Sequence, residues 1–596
     1  MPCNMTRQNS PDISNYLAGG DGIFRMNDPD GNTNRPWTYP GAPFVTDNLP
    51  AAIMPTIPTS GNLRTGWGYD AAFEQPPVFA EGAQQYYMSS TRGDDGTAGN
   101  GGNGTVALPR LTPPGRSGDN WTLNAGDQLY FEGGPTEYVL GDLDITGRGT
   151  AADRIWVTTV GGEKAIFEVD QVKNSISHII WDNIDFKSND ADNTISFRYH
   201  NVLGQTEASH HIAYRHCMFH ANGVFFSGSS SCFGMEGFSA SEICEFFLWY
   251  DCDVFDIGAW DHPADIGNDY HAFQPAKWTR YMWLINSRVY HIQGDSWQTN
   301  TSNQWTYVHE DRPHYMWIAG CEMYENYENA IDHKNCYHII ATSNLIHDFR
   351  NAFKPANETA FTLSQDSEGY LSGYHWAINN IIYNAGVAIR DSSTSASILT
   401  EAPHTQVQGD RNYIVGNLIY DVDEGLELEP RSFDHTDPSD RTYSEFCGVA
   451  LNTIVSDMPV TNPRGAGSSS YTIDIQNNIV YGATVSEDIA IEAWAGLTCN
   501  VLDNLVDRPA GSVNLPTGNF DSFLRNLIDQ DPEFTNIGAK NFIPLASSPA
   551  VNNPGAVTTP ILQEFADLYG MSISEDLVGT TRPQGAIIDL GAYEVA

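Results

Sequence analysis

The chain has 596 residues and a formal net charge of −44, with 74 acidic side chains against 30 Lys and Arg. A protein this acidic repels phosphate groups, which argues against a nucleic-acid ligand or an anionic membrane surface. Hydrophobic residues (41%) and aromatic residues (12%) are abundant enough for a buried core, and because no run approaches 18 consecutive apolar residues we expect no transmembrane helix.

Residues 1–85 form the first predicted unit. They hold 11 of the 32 prolines and show little periodicity, which predicts an extended arm or a small attachment domain. The start of the chain lacks the basic residues and apolar run of a secretory signal. We therefore expect either an extracellular protein whose signal is missing from this chain, or a protein of a virion surface that is made without one.

Short strand-like segments recur from there on, for example CMFH at 217, CDVF at 252, NLIH at 344 and NIIY at 380, at spacings of 23 to 37 residues. They are rich in Ile, Val and Tyr and lack helical periodicity. One coil of a parallel β-helix, with three short strands and three bends, needs about this length. The sequence predicts an all-β parallel β-helix of about 11 coils over residues 86–545, followed by a capping segment at 546–596.

The first residue of each segment indicates how the coils stack. Equivalent residues of successive coils lie about 4.8 Å apart, which predicts an internal asparagine ladder of Asn344, Asn380, Asn417, Asn452, Asn478 and Asn504. Cys217, Cys252 and Cys321 occupy the same position in earlier coils. We expect these cysteines to be small buried side chains rather than redox or metal sites.

Three stretches carry a resemblance to a known family: YYMSSTRGDDGTAGNGG (86–102), the segment 125–167, and the closing DLVGTTRPQGAIIDLGAYE (576–594). Together with the repeats they resemble the right-handed parallel β-helix proteins, which include polysaccharide lyases and phage tailspike depolymerases. The resemblance covers residues 86–596. It implies the right-handed fold, but not one reaction, because this fold supports lyases, hydrolases, esterases and binding proteins.

The segments that follow the repeat pieces can be aligned on their leading small residue, as in DSWQTN (295–300), NAIDHK (329–334), NAFKPA (351–356) and EGLELE (424–429). Strand alternation points the third residue inward and the fourth and sixth outward. The alignment predicts an outward strip with Gln298, Asp332, Lys354 and Glu427 at the fourth position and Lys334 and Arg390 at the sixth. His333 alternates inward and is expected to be a core histidine.

The stretch from Lys277 to Lys354 has a balance of only −1, with three Lys and four Arg against eight acids, and it holds six of the 17 histidines. Cations meet the carboxylates or sulfates of a glycan, and aromatic faces stack on sugar rings. The sequence thus predicts that an acidic polysaccharide binds along residues 290–430. We expect Gln298, Arg390, Glu427 and Arg350 to contact it.

β-Elimination from a uronate requires a group that neutralises the substrate carboxylate and a base that removes the neighbouring proton. We predict Lys334, Lys354 and Asp332 as catalytic residues, with Lys334 or Lys354 as the base if burial and Arg390 lower its pKa. The resemblance implies a Lys or Arg base and calcium on the carboxylate. Asp332 and, more loosely, Asp295 and Glu328 are the candidate Ca²⁺ ligands.

Two other functions fit the same residues. A glycoside hydrolase could use Asp332 with Glu427 or Asp295 as its carboxylate pair. A tailspike or adhesin could bind glycan, or build a fibre, without catalysis, and the resemblance implies a homotrimer in that case. A plain solvated ion-pair strip is the structural alternative for each single residue.

Overall fold

The computed structural model describes much of the chain from residue 85 onward, so the predicted N-terminal arm at 1–85 lies outside the described residues except for Gln85. The described residues are 85–91, 110, 120–150, 153–188, 195–199, 208–237, 239, 242–261, 269–299, 312–350, 359–365, 373–392, 411–429, 444–462, 470–482, 489–491, 497–507, 522–553, 560–569, 573–585 and 587–595.

Most of this chain is β-strand. The first strands are β1 (Gln85–Met88), β2 (Asn120–Asn124), β3 (Gln128–Arg148), β4 (Ile155–Ser175), β5 (Ser177–Asp182), β6 (Ile184–Lys187), β7 (Ser196–Tyr199), β8 (His210–Arg215), β9 (Met218–His220), β10 (Ser230–Met235), β11 (Cys244–Tyr250) and β12 (Asp253–Ile257). The central strands are β13 (Tyr270–Pro275), β14 (Thr279–Ile285), β15 (Arg288–Ile292), β16 (Trp297–Gln298), β17 (His314–Ala319), β18 (Glu322–Tyr324), β19 (Ile331–Lys334), β20 (Tyr337–Thr342), β21 (Leu345–His347), β22 (Thr359–Gln365), β23 (Gly373–Ile378) and β24 (Ile381–Ser392). The last strands are β25 (Arg411–Val415), β26 (Leu418–Glu429), β27 (Ser444–Ala450), β28 (Thr453–Asn462), β29 (Ser470–Gln476), β30 (Ile479–Gly482), β31 (Ile489–Ile491), β32 (Leu497–Leu502), β33 (Leu505–Asp507), β34 (Ser522–Leu524), β35 (Leu527–Ile528), β36 (Phe534–Asn536) and β37 (Asn541–Pro544).

Within the described residues, 35 of these strands join by parallel pairing alone, while β36 and β37 form a separate antiparallel pair. Each strand pairs with the strand one coil before and one coil after it, so the strands stack in three columns. The first column runs through β5, β8, β11, β14, β17, β20, β23, β25, β27, β29 and β32. The second contains β6, β9, β12, β15, β18 and β21, and the third contains β7, β10, β13, β16, β19 and β22. The long strands β4, β24, β26 and β28 each contribute to both of these columns. The chain is the right-handed parallel β-helix that the sequence predicts.

The inside of the coils is a continuous apolar stack, and the predicted asparagine ladder lies at its edge. From Asn344 to Asn504 each Nδ2 donates to the Oδ1 of the next asparagine at 2.9–3.0 Å, and the ladder extends to Asn526. Cys217, Cys252 and Cys321 are buried free thiols, as expected. The ladder satisfies buried amides coil by coil, which keeps successive coils in register.

The bend after the second column repeats an unusual backbone conformation. Asp256, His291, Glu325, Asp348, Asn384 and Asp421 all have φ between 51° and 60°. Left-handed backbone of this kind is a turn feature, and Asn and Asp tolerate it better than other side chains with a Cβ. These polar side chains therefore mark the corner where the chain turns into the third column.

The one α-helix of the described residues, α1 (Pro560–Tyr569), packs on the outside of the first column, and a short 3₁₀ helix covers Ile537–Ala539. Phe565 contacts Trp376 of β23 with ring centroids 4.8 Å apart, and the Arg411 guanidinium lies 2.7 Å from Glu564. Among the described residues no helix combines the length and the apolar character needed to cross a membrane.

Candidate active site on the third column

The outward side chains of the third column form one row, which we name the outer row. Its register follows from the strand pairs: the inward residues Phe273, Trp297, Ile331, Phe361, Ile389 and Leu426 stack on one another, and their next neighbours point out. The outer row runs Arg198, Gly234, Gln274, Gln298, Asp332, Thr362, Arg390, Glu427 and Thr461.

Five predicted site residues meet in the middle of this row. Gln298 and Asp332 are direct partners on β16 and β19. The Gln298 Nε2 donates to Asp295 Oδ2 at 2.8 Å, and Lys334 Nζ lies 2.7 Å from Asp332 Oδ2. Glu328 completes the group, because one of its oxygens lies within 4.8 Å of ligand atoms of Asp295 and His271. The structure therefore brings Gln298, Asp295, Asp332, Lys334 and Glu328 into one cluster.

Asp295 is the fixed centre of the cluster. It is fully buried, and its Oδ1 accepts the Asn329 backbone N–H at 2.8 Å. The Nδ1 of His271, on β13, lies 3.2 Å from Asp295 Oδ2. Burial raises the pKa of Asp295, but the hydrogen bond and charge of His271, with the charge of Lys334, outweigh it and hold the pKa below its usual value. Asp295 is therefore ionised at neutral pH.

Asp332 and Lys334 form an ion pair beside Asp295 that is largely shielded from solvent. The side chain of Asp332 is 4% exposed and that of Lys334 is 23% exposed. Burial raises the pKa of Asp332 to about 6 despite the opposing charge of Lys334. Burial lowers the pKa of Lys334, but Asp332, Asp295 and Glu328 together raise it above its usual value. The pair thus holds one permanent cation and one carboxylate that titrates close to neutral pH.

The pKa of Lys334 moves in the direction opposite to the one that its predicted role as a base requires. The physical reason is its neighbours: carboxylates surround the ammonium group, whereas Arg390 is two positions along the outer row from Asp332 and pairs with Glu427. Arg390 occupies the row of Asp332 rather than that of Lys334, because Ile389, not Val387, stacks with the core residues Phe361 and Leu426.

Lys354 lies outside the described residues, but the register shows what occupies its predicted position. The strand that pairs with β19 is β22, and Thr362 is the partner of Asp332. Eight residues, 351–358, precede the start of β22 and displace the alignment, so that Thr362 takes the position beside Asp332 where Lys354 is expected. A register shift between Asp332 and Lys334 also interrupts the regular alternation that the sequence alignment assumed.

The remaining predicted residues lie farther away. Glu427 follows Asp332 by three positions in the outer row, about 14 Å at the spacing of adjacent strands. That separation exceeds the span of a hydrolase carboxylate pair, so Glu427 does not pair with Asp332 in this way. Arg350 follows β21 at the bend, where its Nη2 contacts Asp423 Oδ1 at 2.9 Å. It is not part of the cluster.

The calcium ion that the resemblance implies does not fit these ligands. Calcium takes six to eight oxygen ligands. Both oxygens of Asp295 already accept hydrogen bonds, Asp332 Oδ2 is held by Lys334, and the third member of the group around Asp295 and Glu328 is a histidine nitrogen. We therefore assign no step of the chemistry to calcium.

Sequence reasoning missed three residues of the site. His271 reaches Asp295 from the coil before, Gln274 donates its Nε2 to Gln298 Oε1 at 3.4 Å, and the Asn329 amide donates to Thr359 O at 2.8 Å. The alignment passes from residues 222–227 directly to 295–300, so β13 was not placed. Phe273, which stacks on Trp297, is the signal that could have placed it. His333 is buried in the core, as predicted, although neither ring nitrogen has a hydrogen-bond partner.

No protein-family model and no curated protein sequence matches this chain. Among solved structures, a mannuronic acid specific polysaccharide family 6 lyase from human gut microbiota is 14% identical with a TM-score of 0.37, over 71% of this chain and 86% of that one. The pectate lyase Pel9A is 11% identical with a TM-score of 0.34, over 86% and 98%. The GH136 lacto-N-biosidase from Eubacterium ramulus is 12% identical with a TM-score of 0.33, over 74% and 67%. These values are low, so the fold assignment rests on the strand columns themselves: the chain is a parallel β-helix protein.

Proposed function

We propose that this protein cleaves an acidic polysaccharide by β-elimination on the outer row of the third column. The observation that carries the proposal is the ion pair between the buried Asp332 carboxylate and the half-buried Lys334 ammonium, with Nζ and Oδ2 2.7 Å apart, next to the ionised and fully buried Asp295. Burying an ion pair on the outside of a solenoid is costly, and perturbed ionisable groups concentrate at functional sites. A solvated surface pair carries no such cost.

In this proposal Lys334 is the group that neutralises the uronate carboxylate. Its raised pKa keeps it charged, and Asp295 and Glu328 contribute to that shift. Because the substrate carboxylate shares the ammonium with Asp332, Asp332 loses part of its stabilising charge and its pKa rises further. Neutralisation acidifies the C5–H bond of the sugar.

Asp332 is then the base. Its pKa of about 6 in the free protein leaves it ionised at neutral pH and close to the operating pH, which favours proton transfer. The C5 proton passes to a carboxylate oxygen of Asp332, the C–H electron pair forms the C4–C5 double bond, and the C4–O bond breaks. The leaving oxygen takes a proton from water. Asp295, held by His271, Gln298 and the Asn329 N–H, positions the Gln298 side chain beside Asp332.

The test is ultraviolet absorbance of an unsaturated product during incubation with a panel of polyuronates. We expect a rising signal on at least one polymer, and its loss in Lys334→Ala. Lys173→Ala is the matched control, because Lys173 also lies on the third column, is 40% exposed, and is 3.8 Å from Asp144. Its rate should equal that of the wild type. A flat trace with wild type on all polymers, without new reducing ends, contradicts the proposal and favours a protein that binds glycan without cleaving it.

One observation favours a second function, a glycoside hydrolase. The pKa of Asp332 is raised to about 6 while that of Asp295 is lowered, and carboxylates whose environments separate their pKa values are typical of acid and base partners. Asp332 would then protonate the leaving oxygen. New reducing ends without ultraviolet absorbance, and a rate that falls as pH rises above 6, would establish this reaction in place of elimination.

A further inference from the structure

A second cluster of chemically active side chains lies on the first column, near the N-terminal end of the solenoid. His178 is in β5, and His210 and His211 begin β8, the next strand of the column. All three are half-buried, and one ring nitrogen from each lies within 4.8 Å of those of the other two. The candidate active site is on the third column, so this cluster is separate from it.

We propose that His178, His210 and His211 bind a divalent transition-metal cation of the zinc class. Three imidazoles with a fourth position left for water are a common zinc ligand set, and imidazole also suits Co²⁺, Ni²⁺ and Cu²⁺. A site with nitrogen donors from three histidines excludes Ca²⁺ and Mg²⁺, which prefer oxygen.

The close contact between His210 and His211 supports this assignment. The Nδ1 atoms of His210 and His211 lie 2.6 Å apart, which requires a single hydrogen between two lone pairs. A cation can replace that hydrogen.

Stacking alone explains two of the three rings. His178 and His211 start a ladder of rings with left-handed backbone that continues through Phe246, Tyr281, Tyr315, His338 and Tyr374. His210 is not in that ladder: its register partners are Ser177 and Glu245. His210 meets both His178 and His211 edge to face, with ring centroids 5.2 and 4.8 Å apart, and so places a third imidazole against the two stacked rings.

The geometry needs only a small adjustment. Zn–N bonds of about 2.0–2.1 Å place tetrahedral ligand atoms roughly 3.3 Å apart. The cluster reaches 4.8 Å between its ligand atoms at most, and the His210–His211 contact must open slightly. Opening that contact and drawing the third nitrogen closer would bring the three nitrogens to the spacing of zinc ligands.

The test uses the full chain without an affinity tag, titrated with Co²⁺ and then with Zn²⁺. We expect one equivalent of Co²⁺ with the visible absorption of a tetrahedral site, displaced by Zn²⁺. His210→Ala and His211→Gln should each weaken binding at least 100-fold. His220→Gln is the control, since His220 is also half-buried but pairs with Asp185 at 2.9 Å, and it should bind Co²⁺ as the wild type does.

The proposal is overturned if the wild type binds Co²⁺ no more tightly than His210→Ala and His211→Gln do. If a variant fails to fold, X-ray absorption of zinc bound to the wild-type chain decides the question without it. Three imidazole ligands support the site, and two or fewer contradict it. Neither measurement depends on polysaccharide cleavage. The metal-site proposal can therefore be contradicted while the proposed lyase activity is supported, and the lyase activity can be contradicted while the metal site is supported.

Discussion

The outer faces of the first and third columns belong to the same coils but carry opposite chemistry. The central outward row of the first column is apolar: Trp156, Ile180, Ala213, Leu248, Trp283, Trp317, Ile340, Trp376 and Tyr413 are all less than 10% exposed. The outer row of the third column has amides, carboxylates and guanidinium groups at the corresponding places. One face buries apolar surface, and the other holds charge.

The end of the chain explains part of this difference. Helix α1 places Phe565 and Tyr569 on Trp376, and the Glu564 carboxylate reaches Arg411 of β25. Burying aromatic rings between the helix and the column stabilises the solenoid by the usual hydrophobic gain. In the middle of the outer row of the third column, the Asp332–Lys334 pair is weak evidence for stability. Under the proposed function, the first column is the face that stabilises the fold, and the third column is the face that binds the ligand.

The largest effect that we expect comes from a substitution in the outer row of the third column. Asp332→Asn should reduce the rate of product formation by about 10²- to 10⁴-fold, because the amide cannot accept the proton. In the wild type the rate should rise with pH through about 6 and then level, since the base works only when it is ionised. The pH profile of kcat/KM measures this limb.

Circular dichroism and thermal melts are the controls for Asp332→Asn, and Tm should change little or rise, because a raised carboxyl pKa costs stability at neutral pH. A rate that instead falls as pH rises through 6 contradicts a base at position 332 and assigns Asp332 as an acid. A rate unchanged by the substitution removes Asp332 from the chemistry altogether.

The second effect belongs to the apolar face. Trp376→Ala should cost about 3–5 kcal/mol of unfolding free energy, because the ring lies 3.6 Å from the Tyr413 ring centroid and 4.8 Å from that of Phe565. Urea denaturation measures the loss, and Trp376→Phe, which keeps a ring in the stack, should lose much less. Activity per folded molecule should be unchanged. A lower kcat/KM at full stability would show that substrate also uses the first column.

Sequence reasoning found the fold because the coil period and the asparagine ladder are local, repeated signals. It placed Gln298, Asp332 and Glu427 correctly in one outward row, since each follows a large apolar residue that stacks inward. It misplaced Arg390, which lies in the row of Asp332 rather than in that of Lys334. It also expected Lys354 at the position next to Asp332 that Thr362 occupies. Strand alternation predicts the direction of a side chain only as long as no residues are inserted between the aligned segments of two coils. The number of residues inserted at a bend cannot be read from either segment alone.

The histidine cluster on the first column had a signal that alignment could have used. The segments SHIIWDN (177–183) and HHIAYRH (210–216) match position by position, so that His178 and His211 are equivalent. The contacts of His271 are less accessible to sequence reasoning. Its link to Asp295 joins adjacent coils across a bend, where spacing alone gives no partner.

A third effect concerns His347, the last residue of β21 in the second column. Asp348 and Glu322 lie 2.9 and 3.3 Å from the two ring nitrogens of His347, and against the cost of burial they raise its pKa to about 9. A raised histidine pKa stabilises the fold fully below the unfolded value near 6.5, and the contribution is lost as pH rises through 9. The shift corresponds to on the order of 3 kcal/mol.

We therefore expect the wild type to lose Tm between pH 7 and 10 more steeply than His347→Gln, with the two converging at the alkaline end. Thermal melts at pH 6, 8 and 10 measure the difference. His220→Gln serves as the comparison variant, because His220 begins the stack of rings that continues through Phe255, Tyr290 and Tyr324 to His347. Parallel curves for wild type and His347→Gln contradict a charged His347 in the folded protein.

The smallest effect tests whether the outer row binds a polymer beyond its centre. Arg390 lies two coils from Asp332, about 10 Å away, and pairs with Glu427, whose side chain is 10% exposed. If Arg390 meets a second acidic sugar, Arg390→Ala should raise KM about five- to tenfold, roughly 1 kcal/mol, and leave kcat unchanged. Glu427→Gln should act in the opposite direction, since it releases Arg390 from a competing carboxylate and lowers KM. A pair that serves the fold alone gives a different pattern: both substitutions lower Tm and neither changes KM. Opposite signs in KM can arise only if the guanidinium is shared between Glu427 and the substrate, which makes this pair of variants a sharper test of the charged face than either one alone.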